Sequence, residues 1–195
     1  MAKITTEQIK ELRDMTGISV MQVKKALEEA GGDMEKAKVM LQKKSSEIAA
    51  KKSDRELGAG TVVAYVHSNN SVAAMVELQC ETDFVSGNED FQKVAYDIAM
   101  HIAAMNPAFK TTDDISDKDK ETARSVFVEE VADKPADMQD KIVEGKMDSY
   151  FKEKVLMSQS FIKDPSKTIS DLIQEATQKF GERVELGEYS RISTS

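Results

Sequence analysis

The sequence predicts an α+β protein: an N-terminal bundle of three helices, followed by a three-stranded antiparallel sheet that packs with helices on one face. Three observations support this fold class. Helix-capping residues recur through the first 45 residues, two runs of β-branched residues are separated by a short turn, and helical periodicity then continues up to a final alternating segment. Strands and helices that are grouped in this way along a chain are typical of α+β proteins.

The N-terminal helices are predicted by their start and stop signals. Two capping boxes, each a Ser or Thr followed three residues later by Gln, begin the first two helices. Glycines suited to left-handed C-caps end them, and an N-cap aspartate begins a third. These residues are Thr5 with Gln8, Ser19 with Gln22, Gly17, Gly31 with Gly32, and Asp33. Because such a short bundle has a marginal core, we expect it to be stabilised by a further contact.

A domain boundary is expected after this bundle. Helical character continues to Lys52 with fewer apolar residues, and the Gly-Ala-Gly stretch at 58–60 is expected to end it. We therefore predict an N-terminal module at 1–55, a core at 56–195 and a linker near 53–60.

The core is predicted to begin with a β-hairpin. Residues 61–67 and 72–80 are rich in β-branched and small apolar types, and the Ser-Asn-Asn-Ser segment at 68–71 is suited to a tight turn. After an acidic loop at 81–90, helical periodicity and capping residues predict four helices, and alternation predicts a third strand. The helices run from Phe91 to Met105, from Ser116 to about Val131, from Pro135 and Asp137 to Val155, and from Ile169 to Phe180, and the strand runs from Val184 to Tyr189.

Composition excludes several classes of function. The net charge of −8 argues against nucleic-acid binding, which depends on concentrated Lys and Arg. Residues 1–55 carry 12 basic and 9 acidic side chains, whereas the remainder is acidic, which favours two different surfaces. Neither a membrane span nor a secretory signal is visible, so the expected location is the cytoplasm and no membrane partner is expected.

The chain shows no convergent catalytic set. His67 and His101 are the two histidines, Cys80 is the single cysteine, and neither a metalloprotease motif nor a nucleotide-binding glycine loop is present. Cys80 is expected to be buried, and a Cys80–His67 dyad on paired strands is the remaining catalytic arrangement. We therefore expect no enzyme activity, no metal and no cofactor.

One segment between a strand and a helix combines a large aromatic with polar residues. In residues 82–88 (TDFVSGN), Phe84 follows Asp83 where a protruding loop is expected. The pattern leaves two alternatives: Phe84 packs into the core, or it is an exposed interface anchor beside a carboxylate.

Motifs along nearly the whole chain resemble the elongation factor Ts family. Residues 12–17 (LRDMTG) and 24–27 (KKAL) are similar to the ubiquitin-associated-like bundle that opens these proteins. Residues 80–85 (CETDFV) resemble the family signature at the end of a core strand. Residues 143–147 (VEGKM) and 164–168 (DPSKT) are similar to its C-terminal region. The resemblance favours an exposed Phe84.

The resemblance implies guanine-nucleotide exchange on elongation factor Tu. In such a mechanism, an Asp-Phe turn enters near the Mg²⁺ and phosphate site of the GTPase, and the N-terminal bundle holds the GTPase elsewhere. It assigns the turn contacts to Thr82, Asp83, Phe84 and Val85, and the bundle contacts to Lys10, Arg13, Val20 and Met21. The alternative function is an adaptor or chaperone-type binding module that uses the bundle without promoting exchange.

The chain also resembles the short members of the family, because a single hairpin-plus-helix unit fits between the linker and the C-terminal segment. The resemblance implies a homodimer in which two single cores replace one duplicated core. His67 is then expected either to contact the GTPase held by the other subunit or to be an exposed turn residue.

Overall fold

The computed structural model describes residues 4–132 and 134–194, without the side chains of residues 136 and 137, so the role expected of Asp137 lies outside the described residues. They form two compact units, Ala104–Ile169 and the residues on either side of it. The helices are α1 (Thr6–Thr16), α2 (Val20–Glu29), α3 (Met34–Ala50), α4 (Asp83–Ser86), α5 (Glu89–Met105), α6 (Asp117–Glu130), α7 (Ala136–Lys154) and α8 (Ile169–Phe180). The strands are β1 (Ala59–Val66), β2 (Val72–Cys80), β3 (Ser160–Phe161), β4 (Asp164–Thr168) and β5 (Glu185–Ser193). The predicted α+β fold class is confirmed.

Helices α1 to α3 begin at the predicted N-caps, and α1 and α2 end at the predicted glycines. Thr5 and Gln8 form the capping box of α1, and the Ser19 and Asp33 side chains accept from the first turns of α2 and α3. Gly17 ends α1 in the left-handed conformation. The backbone N–H of Gly32 donates to the Leu27 carbonyl oxygen at 2.9 Å, which closes α2 with a Schellman-type bond.

The bundle encloses a small apolar core of its own. Its buried members are Leu12, Ile18, Val23, Ala26, Leu27, Ala30, Ala37 and Leu41. Polar contacts then join α3 to α8: Ser45 and Ser46 bond to Gln178 and Gln174. The bundle is thus attached to the C-terminal helix of the same compact unit, in line with the stabilising contact expected for so small a core.

The sheet has the order β1–β2–β5, with both pairs antiparallel. Its inner face carries the buried residues of β2 and β5 and lies against α5. Two contacts show this packing. The rings of Tyr65 in β1 and Tyr96 in α5 meet edge to face at 5.6 Å, and Arg191 Nε donates to the Ala103 carbonyl oxygen at 3.1 Å.

The outer face of the sheet carries exposed apolar side chains among polar ones. Four apolar residues there are at least half exposed: Val62, Val66, Met75 and Ile192. The most exposed of them is Ile192, at 72 %. An antiparallel sheet with one wet face usually carries polar side chains there. We call these four residues the outer sheet patch.

In the unit Ala104–Ile169, α6 and α7 pair through ion pairs and aromatic contacts. Lys146 Nζ lies 2.6 Å from Glu130 Oε2, and the rings of Phe127 and Tyr150 meet edge to face at 5.7 Å. Strands β3 and β4 form a second, two-stranded sheet. Within the described ranges, none of the helices combines the length and apolarity needed to cross a membrane.

The structure differs from the sequence prediction in three places. The β3–β4 hairpin was not predicted, because β3 has two residues and β4 contains Pro165. The acidic loop at 81–90 contains the single-turn helix α4. The Gly-Ala-Gly stretch does not end α3, which stops at Ala50, and Ala59 and Gly60 belong to β1. The two compact units do not divide the chain at residue 55, so the predicted domain boundary stays a prediction.

Candidate functional site

The Asp-Phe segment is a single helical turn at the end of β2. Thr82 adopts an extended backbone and precedes α4, and the Gly87 N–H donates to the Asp83 carbonyl oxygen at 2.9 Å to close the turn. Gln92 Nε2 in α5 donates to the Ser86 carbonyl oxygen at 3.3 Å. The turn is therefore bonded both to itself and to the helix that follows.

The four predicted contact residues of this turn differ in exposure. Phe84 is 84 % exposed, and the two residues that precede it, Thr82 and Asp83, are also exposed. Val85 is 5 % exposed, because α4 lies against β1 and β2 with this side chain beneath it. Of the two alternatives for Phe84, the structure has the exposed one.

The base of the turn is held by the chain segment that follows α8. Glu182 accepts three hydrogen bonds there: Oε2 from the backbone N–H groups of Glu81 at 3.1 Å and Thr82 at 3.0 Å, and Oε1 from Thr82 Oγ1 at 2.6 Å. Nothing in the local sequence around residue 84 indicates this partner 100 positions away. The adjacent Glu182-Arg183 pair, directly after a helix-ending Gly181, is the one signal that the sequence offers for it.

A second acidic side chain, that of Glu81 at the end of β2, accepts a hydrogen bond from the segment that carries Glu182. Glu81 Oε1 accepts from the backbone N–H of Arg183 at 2.6 Å, and Arg55 Nη1 lies 3.2 Å from the same carboxylate. The hydrogen bond from Arg183, followed by the interaction with Arg55, lowers the pKa of Glu81. Charged Glu81 thus joins the end of β2 to the start of β5.

This depressed pKa predicts an acid-dependent loss of stability. Ionised Glu81 stabilises the fold fully above its unfolded pKa of about 4.3, and this contribution disappears as the pH falls through the lower pKa of the folded state. With Glu81→Gln, we expect the free energy of unfolding to fall less steeply below about pH 5 than it does in the wild type. Urea denaturation at a series of pH values measures both slopes. Glu121→Gln, at an exposed position of α6, is the control, and parallel wild-type and Glu81→Gln curves would contradict the assignment.

Cys80 is fully buried at the end of β2, as expected. Its Sγ donates to the Thr82 carbonyl oxygen at 3.2 Å, and burial, followed by the charge of Glu182, raises the pKa of the thiol. The register pairs Cys80 with Ala59, whereas His67 follows Val66 at the other end of the hairpin. Because His67 is eight residues along the chain from the partner of Cys80, at about 3.3 Å each, the Cys80–His67 dyad is excluded.

The predicted docking residues of the bundle lie on α1 and α2. Met21 is 80 % exposed and Val20 is about half exposed, and both are at the start of α2. Lys10 and Arg13 are exposed on α1, where Arg13 Nη1 lies 3.8 Å from Asp14. The bundle therefore presents apolar and cationic side chains that its own core does not use.

His67 lies at the tip of the β1–β2 hairpin. Its ring is exposed, and Nδ1 is 2.8 Å from the Tyr65 hydroxyl. His101, in contrast, is fully buried in α5. Among the residues described, no three or more His, Cys, Asp and Glu side chains are grouped so as to hold a metal ion.

Comparison with known proteins places the chain in one family. The family model described as elongation factor TS matches residues 3–192. An elongation factor Ts of Leptospira biflexa is 46 % identical over 190 residues, which cover 96 % of each chain. The corresponding protein of Herpetosiphon aurantiacus is 43 % identical over 190 residues, again 96 % of each chain. That of Thermotoga petrophila is 41 % identical over 189 residues, 97 % of this chain and 95 % of the relative. This chain belongs to the elongation factor Ts family of translation elongation factors.

Proposed function

We propose that this protein is a guanine-nucleotide exchange factor that speeds the release of GDP from elongation factor Tu. The turn with Asp83 and Phe84 enters beside the Mg²⁺ and phosphate site of the GTPase. The observation that carries this proposal is the 84 % exposure of Phe84 on a turn that is hydrogen-bonded at its base to Glu182, in the segment after α8, and at its far end to α5.

An exposed phenylalanine on a fixed turn is suited to insertion into a partner. Its apolar ring gains free energy when a partner removes it from water, about 1.5–3 kcal/mol on full burial. Because the turn is already ordered, little further conformational entropy is lost when it binds. Large aromatic anchors of this kind dominate the binding energy of many interfaces.

Phe84 does not supply the whole effect. A thousandfold to ten-thousandfold faster release requires roughly 4–5.5 kcal/mol, more than burial of one ring provides. We attribute the remainder to docking of a separate surface, which offsets the displacement of the metal and the phosphate-binding loop. The N-terminal module, residues 1–55, presents Lys10, Arg13, Val20 and Met21 for this contact, and the core, residues 56–195, presents the turn.

Exchange of this kind needs no covalent step and no catalytic residue, and we propose that the protein is not an enzyme. It follows from thermodynamic linkage: if the factor weakens GDP binding, GDP weakens binding of the factor by the same ratio. GTP in excess then refills the site and completes the exchange.

The proposal is tested by release of a fluorescent GDP analogue from elongation factor Tu in stopped flow, with unlabelled GDP in excess. We expect the release rate to rise with the concentration of the wild-type protein and to reach a plateau about a thousandfold or more above the spontaneous rate. A complex that forms without any acceleration would contradict exchange and would favour the adaptor function of the bundle.

We further propose that two copies form a homodimer through the outer sheet patch. An exposed apolar face on an antiparallel sheet marks an interaction surface, and an identical patch on a second copy is complementary to it in a two-fold arrangement. In this dimer, His67 at the hairpin tip is placed to contact the GTPase that the other subunit holds.

For the dimer, the critical substitution is Ile192→Asp, which places a charge at the most exposed residue of the outer sheet patch. We expect the wild type to sediment as a dimer at micromolar concentration and the variant as a monomer, because an unpaired charge at an apolar interface is strongly unfavourable. Val39→Asp, at an exposed position of α3, is the control. A wild-type monomer at these concentrations, measured by sedimentation velocity, would refute the proposed interface.

A further inference from the structure

The carboxylate of Glu182 bonds to the two residues from which the Phe84 turn begins. The backbone N–H groups of Glu81 and Thr82 point at one of its oxygens, and the Thr82 hydroxyl at the other, all within 3.1 Å. Carboxylates that accept from backbone N–H groups form some of the stronger hydrogen bonds in proteins. These bonds determine the direction in which the chain leaves β2, immediately before α4.

The bonds within the turn do not determine that direction. The Ser86 and Gly87 N–H groups donate to carbonyl oxygens of Thr82 and Asp83, and these bonds close the turn wherever it points. Gln92 contacts its far end through a single bond to Ser86. Within the described part of the chain, the hydrogen bonds to Glu182 are the ones that join Thr82, two positions before Phe84, to a segment remote in sequence.

The segment that carries Glu182 is also attached to the N-terminal module. Lys52 Nζ donates to the carbonyl oxygen of Gly181 at 2.5 Å, and Ser45 in α3 bonds to Gln178 in α8. Arg183 Nη1 donates to the Arg55 carbonyl oxygen at 2.6 Å. The segment at 181–183 is therefore bonded both to the N-terminal module and to the base of the turn, within one compact unit.

We propose that Glu182 is a positioning residue for nucleotide release: it holds the Phe84 turn in the orientation that enters the nucleotide site. This inference rests on the proposed exchange function and extends it to a residue outside the turn. Glu182 acts through Phe84 and not by contact with the nucleotide, so its loss affects the rate of release in the complex more than the affinity of the complex.

The test compares Glu182→Ala with Glu182→Gln in the fluorescent GDP release assay. We expect Glu182→Ala to lower the plateau rate roughly tenfold or more, because small misplacement of a reacting group costs rates of that order. The half-saturating concentration is expected to stay within about threefold, since the N-terminal docking contacts remain. Glu182→Gln is expected to keep most of the rate, because its amide oxygen accepts from the two backbone N–H groups and its amide N–H₂ donates to Thr82 Oγ1.

Two further variants separate positioning from general destabilisation. Glu121→Ala, at an exposed glutamate of α6, is the matched control and is expected to behave as the wild type. Adding Glu182→Ala to Phe84→Ala is expected to lower the plateau no further, because a residue that acts through Phe84 has no effect once the ring is absent. Should Glu182→Ala fail to fold, Thr82→Val removes one of the three bonds and is expected to lower the plateau by a smaller factor.

The outcomes distinguish this inference from the exchange function. A wild-type plateau for Glu182→Ala, combined with a lowered plateau for Phe84→Ala, overturns the positioning role and leaves exchange intact. Equal losses for Glu182→Gln and Glu182→Ala also overturn it, since they would indicate a role for the charge alone. If the Phe84→Ala variant accelerates GDP release from the GTPase as much as the wild type does, the proposed exchange mechanism itself fails.

Discussion

Phe84→Ala is expected to lower the plateau rate of GDP release from elongation factor Tu roughly tenfold to hundredfold, which corresponds to the free energy of burying one phenylalanine. The half-saturating concentration is expected to change much less. The reason is that the ring contributes when it displaces the groups around the nucleotide, whereas the N-terminal module supplies most of the affinity. Stopped-flow release at a series of factor concentrations measures the two quantities separately.

The size of the ring provides an internal check on this prediction. Phe84→Leu keeps an apolar side chain and is expected to give an intermediate plateau. Val128→Ala, at an exposed apolar position of α6, is the control and is expected to have no effect. A plateau for Phe84→Ala equal to that of the wild type at saturating factor would remove the ring from the mechanism.

Met21→Asp is expected to have the complementary effect. Met21 is 80 % exposed beside Val20 at the start of α2, and a carboxylate there would be desolvated in the contact with the GTPase. We expect the half-saturating concentration to rise roughly tenfold to hundredfold, because truncation or charging of an interface anchor costs about 1–3 kcal/mol. The plateau rate is expected to remain that of the wild type, since the turn still enters the nucleotide site once the complex forms.

Arg13→Ala is the milder variant on the same surface and is expected to change affinity in the same direction by a smaller factor. Circular dichroism provides the folding control, because Met21 and Arg13 lie outside the buried core of the bundle. A lowered plateau with unchanged half-saturation for Met21→Asp would show that the module acts on the nucleotide site and not on docking.

The N-terminal helices were the most predictable part of the fold, because their signals are local. A capping box such as Thr5–Gln8 lies within four consecutive residues, and the left-handed Gly17 follows directly from the absence of a side chain. Strands β1 and β2 were equally clear from their β-branched residues. In each of these elements, the residues that determine the structure are close together in the sequence.

The candidate site was predictable only in part. The sequence located Phe84 and Asp83, but pattern alone did not decide whether the ring is exposed. The answer depends on Val85, which occupies the space beneath the turn, and on Glu182, which is remote in sequence. Hydrogen bonds between residues 100 positions apart leave no periodic signal in a single sequence.

The outer sheet patch illustrates a second limit of pattern analysis. Alternation normally indicates which face of a strand is wet, yet in β1 both faces carry valine, with Val62 outward and Val63 inward. The strand therefore resembles one that is covered on both sides, and the sequence gives no indication of what covers the second face. The homodimer that we propose accounts for this composition.

The central claim, that the Phe84 ring enters the nucleotide site of the GTPase, is tested most directly by photocrosslinking. A benzophenone amino acid in place of Phe84, at the exposed tip of the turn, reports which atoms the side chain touches in the complex with elongation factor Tu. We expect crosslinks to the residues around the Mg²⁺ and phosphate site, and linkage requires that excess GDP with Mg²⁺ suppresses them. Crosslinks elsewhere on the GTPase, or crosslinks that GDP does not suppress, would contradict the account.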